Sequence, residues 1–368
     1  MARGLLVEPF YGGSHRAFAD GLRAHSRHEI ELLVLPEGQW RQRMRRGAQE
    51  LAVALDALPG PFDFVIATSL LDLAAFLALT RRRLGQTPVL AYFHENQFTY
   101  PRLRGTKFNS WFGQVNYLSA LAADRVAFNS AFHQRDFLSA LRTLDAEPNN
   151  WLSTASIDAI ERKSSVIPVG VELDWLDRLG PGARASEKRP LILWNHRWEF
   201  DKAPEVFARA LLRLAAEGVA FRVAVAGEPG LTPVPALLDL AAALGDRVIQ
   251  FGRVENHEAY GRLLWESDIV VSTTRHEFFG VGMVEALYGG CFPVAPNRYN
   301  YPNLVPAELH ASCLWETEAE FVALMRAAVG GVPEGRDQLR ASAARFDWAT
   351  VGPAWDAAIT TLAAAGSA

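Results

Sequence analysis

The stretch Ser272-Thr273-Thr274-Arg275-His276-Glu277-Phe278-Phe279-Gly280-Val281-Gly282-Met283-Val284-Glu285 sets two glutamates eight positions apart with glycines between them. Residues 268–272 before it read as a strand, and residues 281–289 as a helix. Glu277 then ends a strand-to-helix loop, and Glu285 lies inside the helix. A carboxylate in such a helix can accept both hydroxyls of a ribose, and Glu277 would face whatever that ribose carries. Phe279, Gly280 and Val281 mark the helix start, where unsatisfied amides suit phosphate and glycine permits close approach. Two glutamates eight apart mean nothing by themselves; the strand, loop, glycines and helix around them give the pair weight.

Three further clusters follow strands in the same way. Asn195-His196-Arg197-Trp198-Glu199-Phe200-Asp201-Lys202 puts two cations at a strand-to-helix junction. Arg197 with its planar fork and Lys202 as a point charge could neutralise a diphosphate as a bond to it breaks; equally, each could form an ordinary ion pair with Glu199 or Asp201. His94-Glu95-Asn96-Gln97 follows the apolar run 89–93, and His94 there could hydrogen-bond a sugar or move a proton, or simply sit in a turn. Tyr11-Gly12-Gly13-Ser14-His15 follows the first strand: Gly12 and Gly13 allow a sharp turn and close approach, and Ser14 could cap the next helix. A tight turn accounts for it as well, since no full GxGxxG is present.

The elements that must position these residues alternate. Strand-like runs at 5–7, 30–35, 64–67, 89–93, 125–128 and 166–169 are separated by helical segments such as 14–25, 43–58, 70–83 and 110–123. Residues 173–189, mixed in Asp, Gly, Pro, Ser and Lys, read as a linker. The alternation restarts with strands at 191–194, 221–226, 247–251, 268–272 and 292–295 and helices at 203–217, 235–244, 258–265 and 281–289. Such alternation implies α/β architecture: two Rossmann-like, doubly wound parallel-sheet domains facing across a cleft, with ligands at the carboxyl ends of the strands. The expected division is 1–172, linker 173–189, 190–350, and a C-terminal helix over 351–368 returning to the first domain.

Composition is consistent with this. The 368 residues, 49% hydrophobic and 21% charged, suffice for two cores. A net charge of −4 excludes a protein wholly wrapped in nucleic acid but not a local basic patch. The two cysteines, Cys291 and Cys313, lack metal-ligand spacing and suit a reducing cytoplasm. No run reads as a membrane span or an N-terminal signal, so a cytoplasmic location is expected. No clustered Asp-x-Asp of the kind that holds a divalent ion beside a nucleotide sugar occurs.

The Glu277–Glu285 pair, with Phe279-Gly280 between and Gly290 to Pro293-Val294 after, resembles the E-x7-E region of retaining GT-B glycosyltransferases. Ile167-Pro168-Val169-Gly170-Val171 is similar to that group's domain-junction motif. Phe278 departs from it, standing where a glycine is usual, which would narrow the sugar pocket. Longer strings, Glu8-Pro9-Phe10-Tyr11-Gly12-Gly13-Ser14-His15, Phe93-His94-Glu95-Asn96-Gln97 and Asn195-His196-Arg197-Trp198-Glu199, resemble the tRNA-queuosine α-mannosyltransferase family. The resemblance implies hexose transfer, mannose from GDP-mannose, to the cyclopentene diol of queuosine in tRNA-Asp. By the same likeness, Arg197 and Lys202 hold the diphosphate, Glu285 the ribose and Glu277 the sugar; His94 stands by the reacting centre, and Gly12 and Gly13 admit donor and acceptor. Retention without metal or other cofactor is implied, the leaving phosphate taking the acceptor's proton.

An RNA acceptor needs cations. Trp40, Arg41, Arg43, Arg45 and Arg46 are the first candidates, extended by Arg102, Arg104 and Lys107, with His15 and Asn96 on the acceptor side; a solvated helix face is the plain alternative. Two other functions remain open: the same chemistry on a lipid or small glycoside, and a non-catalytic nucleotide- or RNA-binding protein. The four charged residues Glu277, Glu285, Arg197 and Lys202 argue against the second.

Overall fold

The computed structural model describes residues 1–101, 110–148, 150–181, 189–230, 233–331 and 333–366. It divides into two compact units, Met1–Val171 with Trp348–Ala368, and Glu172–Asp347.

The first unit runs β1 (Arg3–Tyr11), α1 (Gly13–His25), β2 (Glu29–Pro36), α2 (Trp40–Leu55), β3 (Phe64–Thr68), α3 (Leu73–Leu84), β4 (Val89–Phe93), α4 (Ser110–Ala122), β5 (Arg125–Phe128), α5 (Ala131–Asp145), α6 (Thr154–Arg162) and β6 (Ser164–Val166). Its six strands are parallel, in the order β2-β1-β3-β4-β5-β6. The central strands are covered on both faces, which is why residues 64–67 of β3 and all of β4 are apolar runs with every residue buried. Helix α2 buries Met44, Gly47, Ala48, Leu51 and Leu55, one stripe at helical spacing. Asp72 and Ser130 start α3 and α5 by accepting the backbone amides of Ala75 and His133. The expected strand at 166–169 ends earlier, at Val166; beyond it Ile167 N still donates to Phe128 O at 3.0 Å.

The second unit runs α7 (Asp174–Leu179), β7 (Leu191–Asn195), α8 (Pro204–Ala216), β8 (Arg222–Ala226), α9 (Pro235–Leu244), β9 (Val248–Gly252), α10 (His257–Glu266), β10 (Ile269–Val271), α11 (Val281–Tyr288), β11 (Phe292–Pro296), α12 (Tyr301–Leu304), α13 (His310–Cys313), β12 (Leu314–Trp315), α14 (Glu318–Gly330) and α15 (Arg336–Ala344). Its parallel order is β12-β11-β10-β7-β8-β9. That is the doubly wound Rossmann order, reversing between β7 and β10.

Two boundaries differ from expectation. The segment 173–189 begins as a helix, not a linker: Leu176 is fully buried, Trp265 Nε1 donates to its carbonyl at 3.0 Å, and Tyr288 donates to Asp177 at 2.6 Å. A six-residue helix is too short to show a period, and the Gly, Pro and Ser after it dominate the composition. The C-terminal helix α16 starts earlier, spanning Trp348–Ala365, and it groups with the first unit. Trp348 lies so close to Gly21 and Gly170 that a Cβ at either would come within 2.3 Å of the indole. Asp356 accepts from Ser26 Oγ at 2.7 Å, and Trp355 Nε1 donates to Pro168 O at 3.2 Å.

Candidate active site

In the second unit the connections leave β7 and β10 in opposite directions, so their carboxyl ends border the crevice where such sheets take ligands. The two loops are stitched to each other by threonines. Thr273 Oγ1 donates to the carbonyls of Lys202 and Ala203 at 2.9 and 3.1 Å, and Thr274 Oγ1 to Asp201 O at 3.0 Å. These bonds explain why so polar a run is buried. They also hold Lys202 against Glu277. Lys202 Nζ lies 3.2 Å from Asp201 Oδ2 and 3.4 Å from Glu277 Oε2. Burial works against the ammonium, but Glu277 and Asp201 outweigh it and hold its pKa above the ordinary lysine value. Just after it, Ala203 adopts φ 45°, a left-handed conformation unfavourable by roughly 1–2 kcal/mol outside glycine. Arg197 differs: its side chain is 63% exposed, and its guanidinium sits 3.3 Å from Glu199. That is the ordinary surface pair, from which a polyanion can draw it cheaply.

Helix α11 starts after Gly280, at φ 99° and without a side-chain cap. The Phe279 ring is buried edge-on against Phe346, so what this stretch can offer a ligand is backbone. Phe278 is buried too, edge-on to His276 at 4.2 Å between ring centroids. One turn into α11, burial pushes the Glu285 carboxyl up to about 7, against a hydrogen bond from Tyr260 that lowers it. Beside these residues lies a cavity of about 400 Å³, bordered by Asn195, His196, Arg197, Glu228, Arg253, Glu255 and Tyr260 among others. Burial, and then Lys202, lower the His196 imidazole to about 3, so it is neutral. Cys313 is buried and its thiol is pushed up to about 12; with Cys291, also buried and unbridged, it is inert.

In the first unit the structure brings His15 and His94 together, with ring centroids 4.4 Å apart. Glu8, fully buried in β1, accepts from Phe10 N at 2.7 Å and lies 3.0 Å from His15 Nδ1. Burial, then His15 and His133, hold the His94 imidazole well below its ordinary value, so it is neutral; its Nε2 finds no hydrogen-bond partner among the described residues. Among the described residues, Glu8, His15 and His94 are the group whose ligand atoms approach within 4.8 Å of one another. Such a carboxylate and two imidazoles are chemically able to hold a divalent ion.

Other expected contributors behave differently. Asn96 is fully buried; its Oδ1 builds the turn by accepting from Phe98 N, Thr99 N and Thr99 Oγ1, while its Nδ2 finds no hydrogen-bond partner among the described residues. A Cβ on Gly12 would strike Glu37, so its close approach is to protein, whereas Gly13, at φ 50°, has open space around it. Gly12 takes the N-cap place of α1 without a side-chain bond, and Ser14 falls inside the helix. On α2, Arg41, Arg45 and Arg46 are exposed; Arg41 lies 5.0 Å from the Trp40 ring centroid, and Arg45 lies 5.5 Å from that of Phe112. Arg43 is half-buried and pairs with Glu50 at 3.4 Å, so a phosphate would have to draw it from that pair. Arg102, Arg104 and Lys107 lie outside the described residues.

Glu8, Asn195, Tyr260 and Asp201 were not singled out as site residues. A charged residue inside the apolar run of β1 was the available signal for Glu8; Tyr260 had none, being one aromatic in an amphipathic helix.

Residues 3–171 match the family described as tRNA-queuosine alpha-mannosyltransferase N-terminal, and residues 181–324 match glycosyl transferases group 1. The tRNA-queuosine alpha-mannosyltransferase of Drosophila melanogaster is 35% identical over 312 residues, 83% of this chain and 82% of that protein. The chain belongs to the tRNA-queuosine alpha-mannosyltransferase family. It is a glycosyltransferase. Its fold is GT-B. Sucrose-phosphate synthase from Thermosynechococcus elongatus aligns over 99% of this chain and 100% of its own at TM-score 0.74 and 14% identity. HepE from Anabaena in complex with UDP aligns over 98% and 100%, with TM-score 0.68 and 15% identity. At such identities the likeness concerns the fold alone. Among the described residues no helix of this family member is long and apolar enough to cross a membrane.

Proposed function

We propose that this glycosyltransferase moves mannose from GDP-mannose to the cyclopentene diol of queuosine in tRNA-Asp, in the cytoplasm and with retention at the anomeric carbon. The observation that carries this is the 35% identity to a tRNA-queuosine alpha-mannosyltransferase along four-fifths of both chains. The charged arrangement of the second unit supports the donor side. Glu285 accepts the ribose hydroxyls. Lys202, with Arg197 drawn from Glu199, meets the diphosphate beside the amides of Phe279, Gly280 and Val281. Glu277, held by Lys202, takes the hydroxyls of the transferred sugar.

In the reaction, an acceptor hydroxyl oxygen bonds to the anomeric carbon on the face the phosphate leaves. The bond from that carbon to the phosphate oxygen breaks, and its electron pair departs with GDP. The acceptor's proton passes to a phosphate oxygen. The charge then grows on the diphosphate, where a buried, positively held ammonium stabilises the transition state more than the ground state. His94, a neutral imidazole, is suited to hydrogen-bonding at the sugar beside that centre. Arg41, Arg45, Arg46 and the Trp40 ring on α2 supply phosphate contacts and a stacking surface for an anticodon loop.

The donor half of the proposal is tested by nucleotide release from GDP-mannose, GDP-glucose and UDP-glucose, with and without bulk tRNA. Turnover of GDP-mannose that requires tRNA is expected. Preference for UDP-glucose, or release indifferent to tRNA, would overturn it.

A further inference from the structure

Glu285 does not stand alone. It projects from α11, and its Oε2 accepts a hydrogen bond from the Tyr260 hydroxyl of α10 at 3.0 Å. That hydroxyl in turn accepts from Asn195 Nδ2, at the carboxyl end of β7, at 3.0 Å. Asn195 Nδ2 also donates to Gly282 O, in the first turn of α11, at 2.9 Å. The arrangement closes on itself: the end of β7 grips both the helix that carries the carboxylate and the phenol that binds it. Asn195 and Tyr260 also border the cavity of about 400 Å³.

We propose that Tyr260 is a positioning residue for donor binding, which, with Asn195 behind it, fixes one oxygen of Glu285 so that the other is presented to the nucleotide's ribose. This rests on the ribose role given to Glu285 above.

The chemistry follows from the inventory of donors. A carboxylate has two oxygens and must take two ribose hydroxyls as donors in one orientation. A half-buried glutamate with free rotation of its last torsion would lose that freedom on binding; a phenol already bonded to Oε2 has removed it beforehand. Tyr260 serves because its hydroxyl stays protonated: burial, and next the Glu285 carboxylate, raise it well above its ordinary value. Its donated bond also favours the ionised carboxylate, against the burial that pushes Glu285 up to about 7. Of the elements against α11, α10 gives Tyr260 and β7 the uncharged Asn195. The Cys291 thiol before β11 acts on Tyr260 in the direction of a higher pKa. The arginines of α15 are engaged elsewhere, Arg336 with Asp268 and Arg340 with Asp177 and the Tyr288 ring.

The test is nucleotide affinity against pH, by calorimetry on the full chain, using whichever of GDP, UDP and ADP the wild type binds tightest. All three carry the ribose, so the outcome is independent of the base. Tyr260→Phe should weaken binding about tenfold at pH 7, the value of one lost hydrogen bond to a charged group, and move the midpoint of the pH dependence upward. Asn195→Ala should move it in the same direction by less, and stands in if Tyr260→Phe folds poorly. Glu285→Gln should weaken binding and abolish that pH dependence. If Glu285→Gln binds as wild type, the ribose role itself fails, and the inference with it. If Glu285→Gln is impaired while Tyr260→Phe keeps both wild-type affinity and the wild-type midpoint, Tyr260 is only a packing residue and the inference alone is overturned.

Discussion

Replacing Glu285 by glutamine should make the ligand-free protein more stable at alkaline pH and leave it nearly unchanged in acid. The side chain is half-buried, and burial raises its carboxyl from 4.5 to about 7. Between those values the folded chain holds a proton that the unfolded chain has released. The stability tied to that proton is fully present below pH 4.5 and is lost as pH rises through about 7. A rise of this size, at about 1.4 kcal/mol per pKa unit, corresponds to roughly 3 kcal/mol. Glutamine is neutral throughout, matches the carboxyl in shape and can still accept from Tyr260, so the variant escapes the loss. Urea unfolding of both proteins at pH 5 and pH 8, followed by tryptophan fluorescence, gives the comparison. The stability difference in favour of Glu285→Gln should grow by about 2.5 kcal/mol between the two, since at pH 5 the unfolded carboxyl is already mostly ionised. A difference equal at both pH values, or one that shrinks toward pH 8, would show that the buried carboxylate is not destabilising. The destabilisation is the counterpart of function: a carboxylate buried with no cation beside it among the described residues is ready for the hydroxyls that a nucleotide brings.

Lys202→Ala should lose about a hundredfold or more in turnover, the scale of a removed transition-state charge partner. It should also unfold about 3 kcal/mol more easily, since Asp201, 2% exposed, is left buried without its cation; steady-state rates and urea melts check both, and Lys202→Arg should recover the stability. A chelator should leave the rate unaltered, because Lys202 and Arg197 neutralise the diphosphate; a loss restored by zinc or another divalent ion would instead assign a metal to Glu8, His15 and His94. Reversing Arg41 and Arg45 to glutamate should weaken tRNA binding and reduce its salt dependence by about two phosphate contacts' worth, with nucleotide affinity retained; unchanged salt slopes would return α2 to a solvated face.

The doubly wound sheets were legible in the sequence because strands covered on both faces must be apolar throughout. The runs at 64–67, 89–93 and 191–194 stand out against any helical period. Lys202 and Glu277 could be picked out separately, since each follows a strand, yet their contact depends on β7 and β10 lying side by side, which only sheet order decides. Asn96 shows why a residue of this kind stays ambiguous in sequence. A polar residue at a strand's rim signals either a ligand or a turn, and its carbonyl oxygen serves Phe98 and Thr99. Arg43 was indistinguishable from its neighbours until Glu50, seven residues on, proved to be in reach. Tyr260 was invisible because an aromatic on an amphipathic helix ordinarily packs, and its hydroxyl acquires meaning only through Glu285 and Asn195, distant in sequence.

Transfer of a hexose to queuosine is measured by taking tRNA from queuosine-containing and queuosine-lacking cells, incubating each with the protein and GDP-mannose, and weighing the digested nucleosides by mass spectrometry. A single new nucleoside, queuosine plus one hexose, is expected in the first sample and no change in the second. A hexose appearing on both tRNAs, or on neither while GDP is still released, would contradict it.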